Sequence, residues 1–278
     1  MKLASLLHGR DGRLVVVSRD LTRATDAFPV VPTLQAALDD WDRLAPRLAD
    51  LAVSLEHGSV PSFRFHEHDC AAPLPRTYRR LMAAGSDAAL MTMRSDAALG
   101  PREAVRARDE NAGILVEAGF AVVTGDVPAD VGQSQASAHI RLVMLACSVK
   151  VQNQVSSDGR DIADPADLEQ SFSFSPVVVT PDEIGPAWRN GGIDLPLLRQ
   201  INQQSPHRGN TGGAGDAAKL IAKAAQRHAL GAGTILATIV PLAQDQPLRF
   251  GDTVRIEMKD AAGHTIFGAI EQEILPAG

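Results

Sequence analysis

The sequence predicts an α+β fold that is mainly β. Three observations carry this reading. Short apolar runs rich in β-branched residues recur along the chain, as at Leu14–Val17, Ile114–Val123, Ile140–Ala146, Phe174–Val179, Thr234–Val240, Thr253–Met258 and Thr265–Glu273. Few stretches show helical spacing. The length of 278 residues with 45% hydrophobic residues supports one large domain, or one domain with a small N-terminal lobe.

In chain order, Leu3–Leu7 and Leu14–Val17 read as a hairpin around the Asp11-Gly12 turn. Thr33 reads as the cap of a helix to about Glu56, with Leu34, Ala37, Leu38, Trp41, Leu44, Leu48 and Leu51 at helical spacing. Pro46 is expected to divide that helix and Gly58 to end it. Residues 59–110 are the least regular stretch. There, Gly85-Ser86-Asp87-Ala88-Ala89-Leu90 is nearly repeated as Arg94-Ser95-Asp96-Ala97-Ala98-Leu99, too short a repeat for a solenoid. Ile114–Val123 alternates as a strand. A helix over roughly Gln133–Ala138 leads into the strand Ile140–Ala146. A loop containing Gly159 and Asp164-Pro165 follows, then a strand Phe174–Val179 and another near Gly191–Arg199. Residues 202–215 read as a loop. Asp216–His228 reads as an amphipathic helix with Leu220, Ile221 and Ala224 inward. Three strands close the chain.

Composition excludes several function classes. The net charge is -6, with no basic stripe, and aromatic residues are 4% with one Tyr, so neither phosphate binding nor base stacking is supported. No nucleic-acid partner is expected. No run of about 18 apolar residues is present, so no membrane partner is expected. The start MKLASLLHGRDGRL does not read as a signal peptide, because His8, Gly9, Arg10 and Asp11 break the apolar stretch. Cys70 and Cys147 form neither a disulfide framework nor a zinc pattern. The plain expectation is a cytoplasmic protein.

Several segments resemble the bacterial fumarylacetoacetate hydrolase family. They are MKLASL with DGRLVVVSRDL, PTLQAALDDW, CAAPLPR, VEAGFAVVTGDVP, IRLVMLA, FSFSPVVVTPDEIG, GAGTIL, FGDTVRIEM and FGAIEQEI. They span nearly the whole chain in family order. The resemblance implies a β-roll around one pocket, with residues 1–72 as a small N-terminal α/β lobe, residues 73–278 as the C-terminal domain, and a homodimer as the assembly. It also implies chemistry on β-dicarbonyl acids, in which Mg²⁺ or a similar ion holds negative charge as a C–C bond breaks.

The chain departs from the family at the metal. The family's Glu-x-Glu pair places two carboxylates on one strand face. Here the stretch reads Glu117-Ala118-Gly119, and the aspartate expected on the next strand is Ser148 in Cys147-Ser148-Val149. One carboxylate cannot hold Mg²⁺ well. The family's lid histidine has no counterpart between Pro75 and Leu99. Its lysine is replaced by Glu169-Gln170-Ser171-Phe172, and its Gly/Thr-rich substrate turn by Ala237-Thr238-Ile239-Val240.

Each candidate residue has a functional and a bland reading. Glu117 reads as a general acid or base, or as a leftover side chain held by a hydrogen bond. Lys150 could substitute an ammonium for the metal's charge, or be a solvated surface lysine. Cys147 could be a nucleophile given a nearby base, or a small buried hydrophobe. His66-Glu67-His68-Asp69 resembles a metal cluster or an exposed loop, and His139 and His207 are weaker candidates. Gly212-Gly213-Ala214-Gly215 lacks the lysine and serine or threonine of a phosphate loop.

The expectation is therefore a repurposed enzyme of this fold that works without metal or other cofactor on a β-dicarbonyl or polyketide-like small molecule. Isomerisation, cyclisation, dehydration and C–C bond chemistry stay open, with specialised metabolism as its setting. Glu117, Lys150 and Ser148 are the catalytic candidates, and Cys147, Thr238 and Val240 the substrate-binding ones. The alternatives are a non-catalytic pseudoenzyme that binds a ligand or partner, and a metal-dependent C–C hydrolase or decarboxylase with displaced ligands such as Asp87, Asp96 or Asp158.

Overall fold

A computed structural model describes residues 1–84, 89–151, 170–189, 191–211, 215–241 and 246–278. The N-terminal hairpin is β1 (Lys2–Leu6) and β2 (Arg13–Val17), in register Leu3↔Val16. Gly12 is left-handed with φ 72°, and a Cβ there would stand 2.7 Å from that of Ser5, so only glycine fits this turn. The ribbon continues with β3 (Arg23–Asp26) and, after the helices, β4 (Phe63–Arg64).

Thr33 does cap the first helix: its side chain accepts from the Ala36 N–H at 3.2 Å. The helix divides at Asp40, and not at Pro46. Helix α1 (Leu34–Asp39) stops, Asp40 leaves helical geometry at φ -140°, and α2 (Trp41–Glu56) carries Pro46 in its second turn. There the proline forgoes one helical N–H without breaking the helix. Gly58, with φ 68°, follows its end.

Besides β4, three more strands of the described residues lie in the stretch that lacks periodicity: β5 (Arg80–Ala84), β6 (Met91–Met93) and β7 (Val105–Ala107). Then come β8 (Ile114–Thr124), α3 (Gln133–Ala136) and β9 (Ile140–Val151), which runs five residues beyond the expected Ala146 end. The expected strand Phe174–Val179 is two, β10 (Gln170–Phe174) and β11 (Val177–Val179). Pro176 lacks an N–H at the break. The Ser175 hydroxyl fills in, accepting from the Leu145 N–H at 3.0 Å and donating to the Val177 carbonyl at 2.9 Å.

After β12 (Trp188–Arg189) and β13 (Gly192–Ile193), β14 (Pro196–Ile201) pairs with β15 (His207–Asn210). The latter occupies part of the stretch read as a loop. Its polar sequence lacks alternation, and backbone pairing at a sheet edge holds it. Asp216 caps α4 (Ala217–Ala224), and the chain ends through β16 (Ile235–Pro241), β17 (Thr253–Lys259) and β18 (Thr265–Pro276). Gly159, Asp164-Pro165 and the stretch Gly212-Gly213-Ala214 lie outside the described residues.

An 11-stranded sheet runs β4-β3-β2-β1-β11-β9-β8-β16-β5-β6, with β10 also on β9. The N-terminal hairpin thus joins the sheet that carries the site, through β1 and β11. A five-stranded sheet has the order β15-β14-β17-β18-β7. The strands of the large sheet bury both faces, and side chains alternate between two cores. Val116, Ala118, Phe120, Leu145, Cys147 and Leu236 enter one. Ala121, Met144, Ala146, Ala237, Ile239 and Phe172 enter the other, with Leu34, Leu38 and Leu48 of the helices. Among the described residues, no helix is long and apolar enough to cross a membrane.

Candidate active site

The site follows from one register. Strands β8 and β9 pair antiparallel with Glu117 opposite Ser148 and Ala118 opposite Cys147. Strand β10 adds Gln170 opposite Lys150 and Phe172 opposite Ser148. Directly opposed residues share a face, as do residues two apart on one strand. Glu117, Ser148, Lys150 and Gln170 therefore all project from the same face, at one end of the sheet.

The side chains touch. Lys150 Nζ donates to Glu117 Oε1 at 2.5 Å, and Gln170 Nε2 donates to Ser148 Oγ at 2.5 Å. Gln170 also approaches the Met82 sulfur at 3.8 Å. The Glu117 side chain is 7% exposed and that of Lys150 35%, so the carboxylate is buried and the ammonium is partly open to solvent. Glu117 Oε2 is buried and has no hydrogen-bond partner among the described residues. An orphaned carboxylate oxygen is costly to bury, and marks a place where a proton or donor can be received.

Cys147, Thr238 and Val240 point the other way. Cys147 is in the opposite core, where burial first of all pushes its thiol up to about 12. Thr238 is buried and donates its hydroxyl to the Phe120 carbonyl at 3.2 Å. Val240 packs against the same core as Cys147. The structure thus unites the three catalytic candidates and separates them from the three binding candidates by the thickness of the strand.

Gln170 is the contact that sequence reasoning missed. The signal that marks it is its position in the segment Glu169-Gln170-Ser171-Phe172, which resembles the family's lysine-bearing stretch. Arg80 was missed as well. It lies on β5 and is 2% exposed, with its guanidinium 5.7 Å from the Phe172 ring centre and 5.5 Å from that of Phe174. One nitrogen donates to the Ala97 carbonyl at 3.2 Å, while Nε and Nη2 have no hydrogen-bond partner among the described residues. Burial lowers its pKa to about 10.

The divalent metal that the resemblance implies does not fit these residues. A hard cation needs several oxygen ligands. Among the described residues Glu117 is the one carboxylate at the position, and its Oε1 is taken by Lys150. Gly119 offers no ligand, and a Cβ there would stand 2.0 Å from the Thr238 carbonyl oxygen and 3.1 Å from Ile239 Cα. Ser148 offers a neutral hydroxyl. Among the described residues, no group of three or more His, Cys, Asp or Glu could hold an ion. The His66–Asp69 stretch ends in a 3₁₀ turn whose Glu67 pairs with Arg102 at 2.6 Å. His139 and His207 join no such group either. Asp96 is exposed and pairs with Arg94, whereas Asp87 and Asp158 lie outside the described residues.

Comparisons with known proteins agree with this architecture. Residues 1–76 match the family model described as Fumarylacetoacetase N-terminal domain 2, and residues 78–275 that of the Fumarylacetoacetate (FAA) hydrolase C-terminal. No curated protein matches the chain by sequence. Among solved structures, maleylpyruvate hydrolase from Sphingobium sp. SYK-6, in complex with manganese(II) and pyruvate, is similar with a TM-score of 0.74 at 17% identity. Fumarylacetoacetate hydrolase from Exiguobacterium antarcticum gives 0.69 at 16%, and 5-carboxymethyl-2-hydroxymuconate delta-isomerase from Mycobacterium smegmatis gives 0.68 at 15%. In all three, both chains are covered over 100% of their length.

Proposed function

The chain belongs to the fumarylacetoacetate hydrolase family, and on that premise we propose that it is an enzyme acting without a bound metal on a β-dicarbonyl or polyketide-like small molecule. Glu117 is the group that moves the proton. The observation that carries this is its free, buried Oε2 beside an Oε1 that Lys150 holds in place. A carboxylate fixed by one oxygen and unbonded at the other is oriented for a proton it does not yet share.

A carbon between two carbonyls is acidic because its electron pair can move onto oxygen. Glu117 Oε2 takes that proton, the C–H bond breaks, and the pair is held as an enolate. Returning the proton elsewhere isomerises the substrate. Cyclisation, dehydration and C–C bond chemistry can begin from the same enolate. Hydrolases and isomerases among the similar structures support an enzyme over a ligand-binding relic.

The test is hydrogen exchange at the central carbon of ethyl 2-methylacetoacetate in D₂O, followed by NMR against a buffer blank. Exchange above the blank is expected, and Glu117→Gln should lower it by about 100-fold or more. Equal exchange in the variant removes Glu117 from the role. Protein dialysed against EDTA should keep its rate. If it falls silent and Mn²⁺ restores it, the metal-free reading fails. Binding of the ester with no exchange would leave a ligand-binding protein instead.

A further inference from the structure

We propose that Lys150 and Ser148 form a two-donor seat that binds the substrate as its enolate, and that Gln170 is the positioning residue that makes Ser148 a donor. This rests on the proton-transfer reading of Glu117.

The seat follows from the strand. Ser148 and Lys150 are two apart on β9, so both project from the Glu117 face with Cα atoms about 7 Å apart. Lys150 Nζ carries three hydrogens, and its one hydrogen bond among the described residues goes to Glu117. Its partial exposure leaves the other hydrogens open to a ligand. Ser148 is fully buried and accepts from Gln170. A hydroxyl that is already accepting directs its own hydrogen elsewhere, and among the described residues no hydrogen bond supplies an acceptor for that of Ser148. A buried donor without an acceptor is costly until a ligand oxygen supplies one. The Gln170 amide cannot be replaced by a group that only accepts without undoing this polarity.

Charge bookkeeping gives the seat its logic. Before reaction, the ammonium balances the Glu117 carboxylate. When Oε2 takes the proton, Glu117 becomes neutral and the enolate becomes the anion. The ammonium then stands beside a new single negative charge with no change in the total. A monovalent cation suits this exchange of partners. A carboxylate at position 148 would set an anion against the enolate, whereas a serine donates to it. The loss of acidic ligands at 119 and 148 and the presence of Lys150 are thus one coordinated change from Lewis-acid to hydrogen-bond stabilisation. The ligand class is an enolisable 1,3-dicarbonyl, with one oxygen on Lys150 and the other on Ser148.

The probe is acetylacetone, whose enolate has its own ultraviolet absorbance, titrated into the whole protein at a pH where the free diketone is mostly protonated. Wild type should bring up the enolate spectrum and lower the apparent pKa of the bound diketone. Ser148→Ala should weaken enolate binding by about 10-fold, and Gln170→Leu should weaken it in the same direction. Lys150→Met should abolish the spectrum. The double variant Glu117→Gln with Lys150→Met leaves no buried unpaired charge, so it answers the question if the single variant does not fold. An undiminished spectrum in the folded lysine variant, or in both Ser148→Ala and Gln170→Leu, overturns the seat. So does a covalent adduct at Lys150 trapped by borohydride, because the lysine would then be a nucleophile. Loss of exchange in Glu117→Gln together with a lysine-independent spectrum rejects the seat alone. A spectrum that depends on Lys150 and Ser148 with no exchange in any protein rejects the proton-transfer reading alone.

Discussion

The two faces of the β8–β9 ribbon differ although the same twenty or so residues build both. On one face Ala118, Phe120, Leu145 and Cys147 are sealed in apolar packing with matched polar groups beside Phe120 and Cys147, although Thr124 Oγ1 and Arg141 Nε are buried without partners at the far end of the ribbon. Thr238 donates to the Phe120 carbonyl, and nearby Ser173 donates to Gln272 Oε1 at 2.7 Å. On the other face Glu117 and Arg80 leave buried polar atoms without partners. Folding tends to satisfy buried polar groups, so unmatched ones held on an otherwise packed face mark where something other than stability shaped the sequence. Strand alternation separates the two sets: odd positions of β8 and even positions of β9 share the Glu117 face, and their neighbours share the core around Phe120.

The sharpest way to break this contrast is at Gly119, which lies on the Glu117 face where the next side chain of β8 would stand. Its missing Cβ is filled by the neighbouring strand, with the Thr238 carbonyl 2.0 Å from where the atom would be. Gly119→Ala must push β16 away from β8, and should cost about 3 kcal/mol in a denaturant titration. Gly119→Glu should fare no better and should bind no Mn²⁺ tightly, because the carboxylate has no room to return. Wild-type stability in the alanine variant would show that β8 and β16 can separate there at little cost.

Much of this architecture is legible in the sequence, for physical reasons that differ from place to place. The hairpin of β1 and β2 announces itself through a β-branched run and a glycine turn, and Thr33 through local capping chemistry. Strand β5 does not, since Arg80-Leu81-Met82-Ala83-Ala84 contains no β-branched residue and is a strand because β16 and β6 pair with it. The sequence places the helix break at Pro46, whereas the backbone turns at Asp40. At the site, Glu117, Ser148 and Lys150 share a face by alternation alone. Gln170 joins them only through the pairing of β10 with β9, which no local pattern fixes. Nothing local marks Arg80, because arginine is ordinarily exposed.

Arg80 offers a second test, smaller in size and opposite in sign. Its guanidinium has two aromatic rings and one carbonyl for company, and the one acidic influence on it, Asp96, forms no salt bridge with it. Ring contacts return part of the desolvation cost of a buried cation, but two unbonded nitrogens remain. Arg80→Met keeps the length of the side chain and should raise stability by about 1 kcal/mol by denaturant midpoint. A loss of stability instead would mean that the rings hold the cation more strongly than its dehydration opposes it, and the Glu117 face would then contain one uncompensated group fewer.

The smallest effect belongs to the sealed face, and at neutral pH it vanishes. Burial is the main cause that raises the Cys147 thiol from 9.0 to about 12, the Glu117 carboxylate adds to it, and Ser173 opposes it. The folded protein therefore prefers the protonated thiol. Below about pH 9 both folded and unfolded chains hold that proton, and Cys147 contributes no pH dependence. From there toward pH 12 the unfolded chain releases the proton first, so stability falls as pH rises. Buried Cys70 is shifted in the same direction, so the comparison must be made between wild type and Cys147→Ala, both retaining Cys70. The variant should show a shallower alkaline decline in denaturant midpoint, and native wild type should resist iodoacetamide at Cys147 at neutral pH. Rapid labelling there would place Cys147 within reach of small molecules and erase the distinction between the two faces.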